Sequence, residues 1–170
     1  TIAAREQGMH TVPKHFAVNN KETNRGGNDS RLSERALREI YLKGFEICVR
    51  EASPKCIMTS YNKINGVWGH YNYELCESVL RSEWGFEGMV MTDWWMRKSK
   101  SPEFPSVRNN GYRVRAGVDV LMPGGDRTSK HKPDGTLLET YGKPDGITLG
   151  EMQRTAKNVL GLVLNLPEKD

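Results

Sequence analysis

The sequence lacks the short motifs that mark several common classes of enzyme. It has no C-x-x-C pair and no H-E-x-x-H, and its four histidines are not spaced like metal ligands, so we expect no metal site. It also lacks G-x-G-x-x-G, G-x-x-x-x-G-K-S/T and G-x-S-x-G, which argues against nucleotide-binding loops and the serine-hydrolase elbow. These absences predict an activity that needs no cofactor.

Long apolar runs and paired cysteines are also missing. No stretch of about 18 apolar residues occurs, so no segment of this chain is expected to span a membrane. Cys48, Cys56 and Cys76 are odd in number and lie in apolar segments. This pattern favours buried free thiols over a disulfide framework and suits a reducing compartment. The chain begins with Thr and not with Met, so its localisation is left open.

Charge of one sign is only in small excess. The 25 basic and 21 acidic residues give a net charge of +4. The basic residues of segments 97–115 and 127–132 lie among Pro and Gly, without interleaved aromatic residues on one element. We interpret them as a solvated surface and expect no nucleic-acid partner, with a phosphate- or nucleic-acid-binding barrel as an open alternative.

The hydrophobic pattern of these 170 residues predicts an α/β fold with mainly parallel strands. A short helical stretch ends near Gly8, and four strands follow at Thr11–Phe16, Lys55–Ser60, Gly88–Thr92 and Val118–Met122. About four βα units make half of a (β/α)8 TIM-type barrel, which needs about 250 residues. The chain is therefore predicted to be a partial barrel.

Three longer helices are predicted between and after these strands. The first begins after the N-cap Ser33 and ends near Ala52, and its inward face consists of Leu37, Ile40, Tyr41, Phe45, Cys48 and Val49. The second covers Tyr73–Trp84, with Leu75, Val79 and Leu80 inward and Gly85 as its C′ residue. The third opens with the capping box of Thr148 and Glu151, and its inward face consists of Met152, Ala156, Val159, Leu160 and Val163. Segments 62–71, 97–110 and 123–146 are predicted as loops.

Polar side chains stand at the ends of the predicted strands. Lys14 and His15 lie in the first, Tyr61 follows the second and Asp93 follows the third, while Arg25 lies in the loop after the first. The carboxyl ends of parallel strands meet at one edge of the sheet. Cationic and hydroxyl donors around a partly desolvated Asp93 would keep it ionised and suit a ligand made of hydroxyl groups. Taken singly, each residue has a structural alternative as a surface ion pair, a core residue or a helix cap.

From Thr11 to about Gly124, the sequence resembles glycoside hydrolase family 3. The segments that carry the resemblance are Lys14–Asn20 with Glu22 and Arg25, Ser33–Leu42, Ile57–Asn62, Leu80–Phe86, Val90–Trp94, and Ala116–Asp119 with Met122 and Pro123. The resemblance implies a retaining β-glycosidase, β-glucosidase-like, whose catalytic domain is a (β/α)8 barrel.

The resemblance also implies a role for individual residues. Asp93 corresponds to the nucleophile that forms a covalent glycosyl-enzyme in a double displacement. The residues that correspond to the subsite of the cleaved sugar are Lys14, His15, Arg25, Met58 and Tyr61. Trp94 corresponds to an aromatic residue that borders the neighbouring subsite.

The family's second catalytic group has no counterpart in these residues. In family β-glucosidases the acid/base is usually a Glu on a separate α/β sandwich domain, and nothing here resembles that domain. The Asp-His pair of the β-N-acetylglucosaminidase branch is missing too, because no histidine occurs between His15 and His70. The acid/base is therefore expected from outside this chain.

Residues 1–170 are accordingly predicted to be the second half of the catalytic barrel, with the first half and the sandwich domain outside them. The helix that ends near Leu166 favours a parent protein in which the sandwich precedes the barrel. Expected partners are a β-linked oligosaccharide or an aryl or alkyl β-glycoside, and the remainder of the same enzyme. A β-xyloside as the substrate, or a catalytically silent carbohydrate-binding or scaffold barrel, stays open.

Overall fold

The computed structural model describes residues 1–96, 110–123, 136–144 and 146–166. Its α-helices are α1 (Ile2–Glu6), α2 (Glu34–Ala36), α3 (Lys43–Ala52), α4 (Asn110–Arg115), α5 (Thr136–Thr140) and α6 (Leu149–Val163). Two π-helices cover Leu37–Tyr41 and Glu74–Glu83, and a 3₁₀-helix covers Gly69–Tyr71. The strands are β1 (Asp29–Ser30), β2 (Cys56–Met58), β3 (Lys63–Ile64), β4 (Val67–Trp68) and β5 (Met89–Met91). None of the helices in these ranges is long and apolar enough to cross a membrane.

Parallel strands form the centre of the fold. Strands β2 and β5 pair in parallel, with Ile57 opposite Val90. Single parallel bridges join Phe16 to Thr59 on one side and Met91 to Val120 on the other. The predicted α/β class is therefore confirmed, and the four apolar segments lie side by side in chain order.

The first and fourth predicted strands are wrong as regular strands, because each makes only its one bridge. In the first, Pro13 has no N–H to donate to a ladder, and its carbonyl accepts from Met58. In the fourth, the carboxylate of Asp119 accepts the Val90 N–H at 2.9 Å, where a strand would offer a backbone carbonyl. The second and third predicted strands are present and are shortened to β2 and β5.

A small second sheet occupies part of the predicted loop 62–71, so that prediction is wrong. Strands β3 and β4 are antiparallel, and β1 pairs with β3 in parallel. Asn65 and Gly66 form the turn between β3 and β4, with φ of 50° and 94°. An Asn-Gly pair suits a two-residue hairpin because both of its central residues need positive φ.

The first long predicted helix is present, but its inward face is partly wrong. Ser33 caps it, because its hydroxyl accepts the Ala36 N–H at 3.2 Å. The π-helical turn closes with a bond from the Leu42 N–H to the Leu37 carbonyl, five residues apart, which rotates the following side chains. Leu42 is consequently fully buried, whereas Ile40 is 67% exposed.

The second long helix agrees with its predicted face. Leu75, Val79 and Leu80 are buried, and Gly85 ends the helix with a φ of 75°. Its hydrogen bonds over Glu74–Glu83 follow the π-helical pattern, which the sequence did not predict.

The third long helix, α6, begins with the predicted capping box of Thr148 and Glu151. Its inward face is partly wrong. Val159, which was predicted to face inward, packs on the sheet together with Leu162. Three other residues of the predicted inward face are exposed: Ala156, Leu160 and Val163. Asn158 fixes this rotation, because its amide donates to the buried Asp119 at 3.0 Å.

Helix α5 corrects part of the loop prediction for 123–146, and helix α4 begins at Asn110, the last residue of the predicted loop 97–110. Both are short, and their apolar residues do not repeat long enough to predict a helix. Segments 97–109 and 124–135 of those predicted loops lie outside the described residues.

The core lies on both faces of the central parallel pair. Ile57 and Val90 face the helices that precede β2 and β5. The opposite face carries Cys56, Met58, Met89 and Met91, and α6 covers it with Val159 and Leu162. This packing fixes the strand ends after Met58 and Met91, where the polar residues lie.

Candidate active site

Asp93 lies two residues beyond β5 and is 8% exposed. Its Oδ1 accepts the Trp94 N–H at 2.7 Å. Its Oδ2 lies 3.2 Å from Nε2 of His15. One carboxylate oxygen is thus bound to the backbone, and the other meets an imidazole from the first parallel segment.

Tyr61 forms the next part of the same site. Its hydroxyl donates to the Trp94 carbonyl at 2.8 Å. Burial raises the pKa of Tyr61 above its usual value of 10, and the negative charge of Asp93 raises it further. The phenol is therefore neutral at physiological pH and acts as a hydrogen-bond donor beside Asp93.

Arg25 reaches the site through Tyr61. Its guanidinium lies over the Tyr61 ring, 4.5 Å from the ring centre, and its Nη1 is 2.8 Å from Oε2 of Glu22. Arg25 therefore contacts the tyrosine, and its ion pair is with Glu22.

Met58 and Trp94 form the apolar wall. Met58 is buried in β2 directly opposite Met91, and the partly buried Trp94 packs against the same cluster. Lys14 differs from the other predicted residues: it is exposed, and among the described residues it has no recorded ion pair or hydrogen bond. The structure thus brings Asp93, His15, Tyr61, Trp94 and Met58 together, with Arg25 on the outer side and Lys14 at the margin.

The sequence did not indicate how the segment after Asp93 is held. The Met122 N–H donates to Oγ1 of Thr92 at 2.9 Å, and the Trp95 N–H donates to the Met122 carbonyl at 3.1 Å. The sequence offered Met122 only as a strand end. Backbone contacts of this kind leave no signal in residue type.

No second carboxyl group in the described ranges is hydrogen-bonded to Asp93. The same ranges contain no group of three or more His, Cys, Asp and Glu side chains that could hold a metal ion. The described site is therefore a single buried carboxylate with imidazole, phenol and indole neighbours. A carboxylate in this setting can act as a nucleophile or as an acceptor for hydroxyl groups.

Comparison with known proteins gives the class of the chain. Residues 2–156 match the family described as glycosyl hydrolase family 3 N terminal domain. The chain belongs to this family, and the resemblance read from the sequence is confirmed.

Individual relatives make the comparison more specific. A β-glucosidase of Ruminococcus albus is 43% identical over 97% of this chain and 18% of its own length. An exo-α-(1->6)-L-arabinopyranosidase of Bifidobacterium longum is 40% identical over 92% of this chain and 18% of its own. This chain therefore spans under a fifth of the length of these relatives.

Solved structures agree with the fold. A β-glucosidase from Paenibacillus barengoltzii superimposes with a TM-score of 0.86 at 41% identity, over 98% of this chain and 18% of that one. β-Glucosidase 3B from Thermotoga neapolitana, solved in complex with glucose, gives a TM-score of 0.82 at 37% identity, over 98% of this chain and 22% of that one.

Proposed function

We propose that this chain is part of a retaining β-glycoside hydrolase whose activity is that of a β-glucosidase. The observation that carries the proposal is the buried carboxylate of Asp93, bound on one oxygen by the Trp94 N–H and faced on the other by His15. Membership of glycosyl hydrolase family 3 and similarity to β-glucosidases support the reaction type.

In the proposed mechanism Asp93 attacks the anomeric carbon while the glycosidic C–O bond breaks and the acid/base protonates the departing oxygen. The product is a covalent glycosyl-enzyme, formed through a transition state that resembles an oxocarbenium ion. The hydrogen bond from Trp94 fixes the plane of the carboxylate before the attack. Water then hydrolyses the intermediate, with assistance from the acid/base.

Other predicted residues are proposed to hold the substrate. Lys14, His15, Arg25, Met58 and Tyr61 would line the subsite of the cleaved sugar. Trp94 would border the subsite beside it. Indole and phenol rings suit this role because they offer flat apolar surfaces together with a polar edge.

The acid/base is proposed to lie on the remainder of a longer enzyme. A retaining mechanism needs a second carboxyl about 5–5.5 Å from the first. Relatives extend far beyond the matched region, which leaves room for such a group. We further propose that residues 1–170 are the second half of a (β/α)8 barrel, because their four parallel segments follow each other in chain order.

The nucleic-acid alternative is weakened by the basic residues that the structure describes. Arg115 donates to the carboxylate of Glu151 at 2.6 Å, and Arg113 is buried. Neither is available as part of a solvated phosphate-binding patch. The other basic residues of segments 97–109 and 127–132 lie outside the described ranges.

Mechanism-based trapping tests the proposal. The complete protein is incubated with a 2-deoxy-2-fluoro-β-glucoside that carries a dinitrophenolate leaving group, and the labelled peptide is mapped by mass spectrometry. We expect one label per active site, on Asp93. Label on another residue of an active enzyme would refute the assignment, and absence of both label and turnover would favour a silent barrel.

A pair of matched variants sharpens this test. Asp93→Asn keeps an oxygen for the Trp94 N–H but loses the nucleophile, so we expect turnover to fall at least about 10³-fold and no label to form. Asp29→Asn is the control, because Asp29 also binds a backbone N–H, that of Gly66, at 2.8 Å but lies in the small second sheet. It should retain both label and turnover.

The substrate is tested with nitrophenyl glycosides. We expect kcat/KM to be highest for the β-glucoside. The panel includes the β-xyloside and, because one relative is named for it, the α-L-arabinopyranoside. A higher kcat/KM for either of these would replace glucose as the proposed sugar while leaving the reaction type intact.

A further inference from the structure

Arg113 is a buried guanidinium that joins three segments of the chain near the candidate site. It lies in α4 and is 3% exposed. Its Nε donates to Nδ1 of His70 at 3.0 Å, and its Nη2 donates to the Met96 carbonyl at 2.5 Å. Its Cζ also lies over the Tyr71 ring, 4.7 Å from the ring centre. A planar fork of five N–H donors can hold such a set of acceptors in one fixed geometry.

His70 serves as the fixed acceptor of this arrangement. It is fully buried, and burial together with the charge of Arg113 lowers the pKa of His70 well below 6.5. The imidazole is therefore neutral, and because Nδ1 accepts from Arg113, its hydrogen is on Nε2. The Gly69 N–H donates to the Asn62 carbonyl at 3.1 Å, which ties His70 to the segment just after Tyr61.

Met96 lies three residues beyond Asp93, so Arg113 holds the far end of the segment that carries Trp94 and Trp95. Met122 holds the near end through Thr92 and Trp95. Trp95, which bonds to Met122 and directly precedes Met96, has a φ of 60°, a conformation that a bulky side chain rarely adopts. Such a conformation persists only where the surroundings fix it on both sides.

We propose that Arg113, oriented by His70, is a positioning residue that holds segment Asp93–Met96 in the conformation required for attack by Asp93. The proposal rests on the proposed glycosidase function. Arg113 itself does not touch the carboxylate in the described contacts; it acts through the Met96 carbonyl. A displacement of about 1 Å at a reacting group can lower a rate by about 100-fold, so the anchor has a measurable kinetic effect.

Arg113→Lys in the complete protein tests this role, because lysine keeps the charge but not the fork. The 2-fluoro glucoside trap gives the number of active sites, the trapping rate constant and the inhibitor's binding constant. We expect the trapping rate constant per active site to fall about 10- to 100-fold, with binding changed by less than about threefold.

Arg81→Lys is the matched control. Arg81 is also a well-buried arginine. It donates to the carbonyl of Gly88, the residue before β5, at 2.9 Å and to the carboxylate of Asp119 at 2.8 Å. Its loss should lower the unfolding temperature and leave the trapping rate constant per active site unchanged. A role of Arg113 in stability alone would make the two variants behave alike.

Two substitutions at His70 provide the rescue test, and they remain informative if Arg113→Lys does not fold. His70→Asn can offer its amide oxygen near the position of Nδ1, whereas His70→Leu offers no acceptor. We expect the trapping rate constant of His70→Asn to lie within about threefold of the unsubstituted protein and that of His70→Leu to fall about 10-fold or more.

The outcomes separate the two proposals. If the unsubstituted protein is never labelled at Asp93, the proposed function fails and this inference fails with it. If the unsubstituted protein is labelled, but Arg113→Lys or His70→Leu traps the inhibitor at the unsubstituted rate per active site, this inference alone is overturned.

Discussion

His15 and Asp93 meet across the end of β2, with 3.2 Å between Nε2 of the imidazole and Oδ2 of the carboxylate. Phe16 bridges to the residue after β2 on one side, and β5 pairs with β2 on the other, so the two residues belong to segments that are not adjacent. The contact therefore depends on the correct parallel pairing of three segments.

Replacement of His15 tests the value of this contact. The contact places Nε2 within reach of a hydrogen bond to the charged Asp93 in the substrate complex, and such a bond contributes about 1.5–3 kcal/mol. We therefore expect His15→Phe to lower kcat/KM of the complete enzyme by about 10- to 150-fold. His15→Gln carries an amide nitrogen that can take the place of Nε2, so it should lose less. Steady-state kinetics with a nitrophenyl β-glucoside measures both.

His10 is the control for this prediction. Its Nε2 contacts the Asn165 carbonyl at 2.9 Å at an exposed position. His10→Gln should leave kcat/KM within about twofold, because exposed substitutions away from a site have small effects. Equal kinetics for His15→Phe and His10→Gln would show that the imidazole contributes nothing to the reaction.

Much of the candidate site could be predicted from the sequence because each residue stands at the end of an apolar segment. Asp93, His15 and Tyr61 come together for this reason. Lys14 follows the same rule, yet it lies exposed at the margin. The first segment is not a regular strand, so a position at its end does not fix the direction of each side chain.

The parts that the sequence did not predict depend on contacts between distant residues or on hydrogen-bond patterns. The π-helical turn that exposes Ile40 and buries Leu42 changes the helical period, which a 3.6-residue pattern cannot represent. Arg113 and His70 are 43 positions apart, and α4 was not expected as a helix. The Asn65-Gly66 pair is a sequence signal for the hairpin of β3 and β4, because both residues readily adopt positive φ.

Asp119 provides a second prediction, which concerns stability. Burial raises the pKa of Asp119 above 3.8, and the hydrogen bonds from Arg81, Val90 and Asn158 counter it only in part. Asp119→Asn replaces one acceptor oxygen by a donor among these three donors. We expect a loss of about 1–3 kcal/mol, because a buried donor is left without an acceptor. Hydrogen–deuterium exchange of peptides that contain β5 and segment 118–120 in the complete protein measures it.

The pH dependence of this effect has a definite sign. Because the folded-state pKa is raised, the carboxyl contributes most to stability below pH 3.8, and its contribution decreases as pH rises through the folded-state pKa. Asp119→Asn should remove this dependence. Glu83→Gln is the control, since its pair with Arg38 is exposed and worth at most about 1 kcal/mol. If Asp119→Asn lost no more stability than Glu83→Gln, the prediction would be contradicted.

The cysteines give a third prediction, on chemical reactivity. Burial raises the pKa of Cys56 to about 11 and that of Cys76 to about 12, so neither forms a thiolate at neutral pH. Cys48 is partly exposed. Brief alkylation of the native protein with iodoacetamide at pH 7.5, followed by peptide mapping, should modify Cys48 well before the other two. Early modification of Cys76 would contradict the buried position of the second π-helix.

The fourth prediction concerns the start of α6. Burial acts to raise the pKa of Glu151, but hydrogen bonds from Arg115 and Thr148 outweigh it and hold the pKa below 4.5. Glu151 thereby links the end of α4 to the cap of α6, with Nε of Arg115 at 2.6 Å and the Thr148 N–H at 2.7 Å. Because the folded-state pKa is lowered, this stabilisation is present above pH 4.5 and is lost as pH falls through the folded-state pKa.

Two substitutions separate the charge from the cap. Glu151→Gln can still close the capping box but cannot pair with Arg115 as an anion, so protection of α6 against exchange should decrease at pH 7 and converge with the unsubstituted protein below the folded-state pKa. Thr148→Ala removes the cap hydroxyl and should cost about 1 kcal/mol at both pH values. Exchange of α6 peptides at pH 7 and in acid measures the difference. If Glu151→Gln showed the same pH-independent loss as Thr148→Ala, Glu151 would contribute to stability through the hydrogen bonds of the capping box and not through its charge.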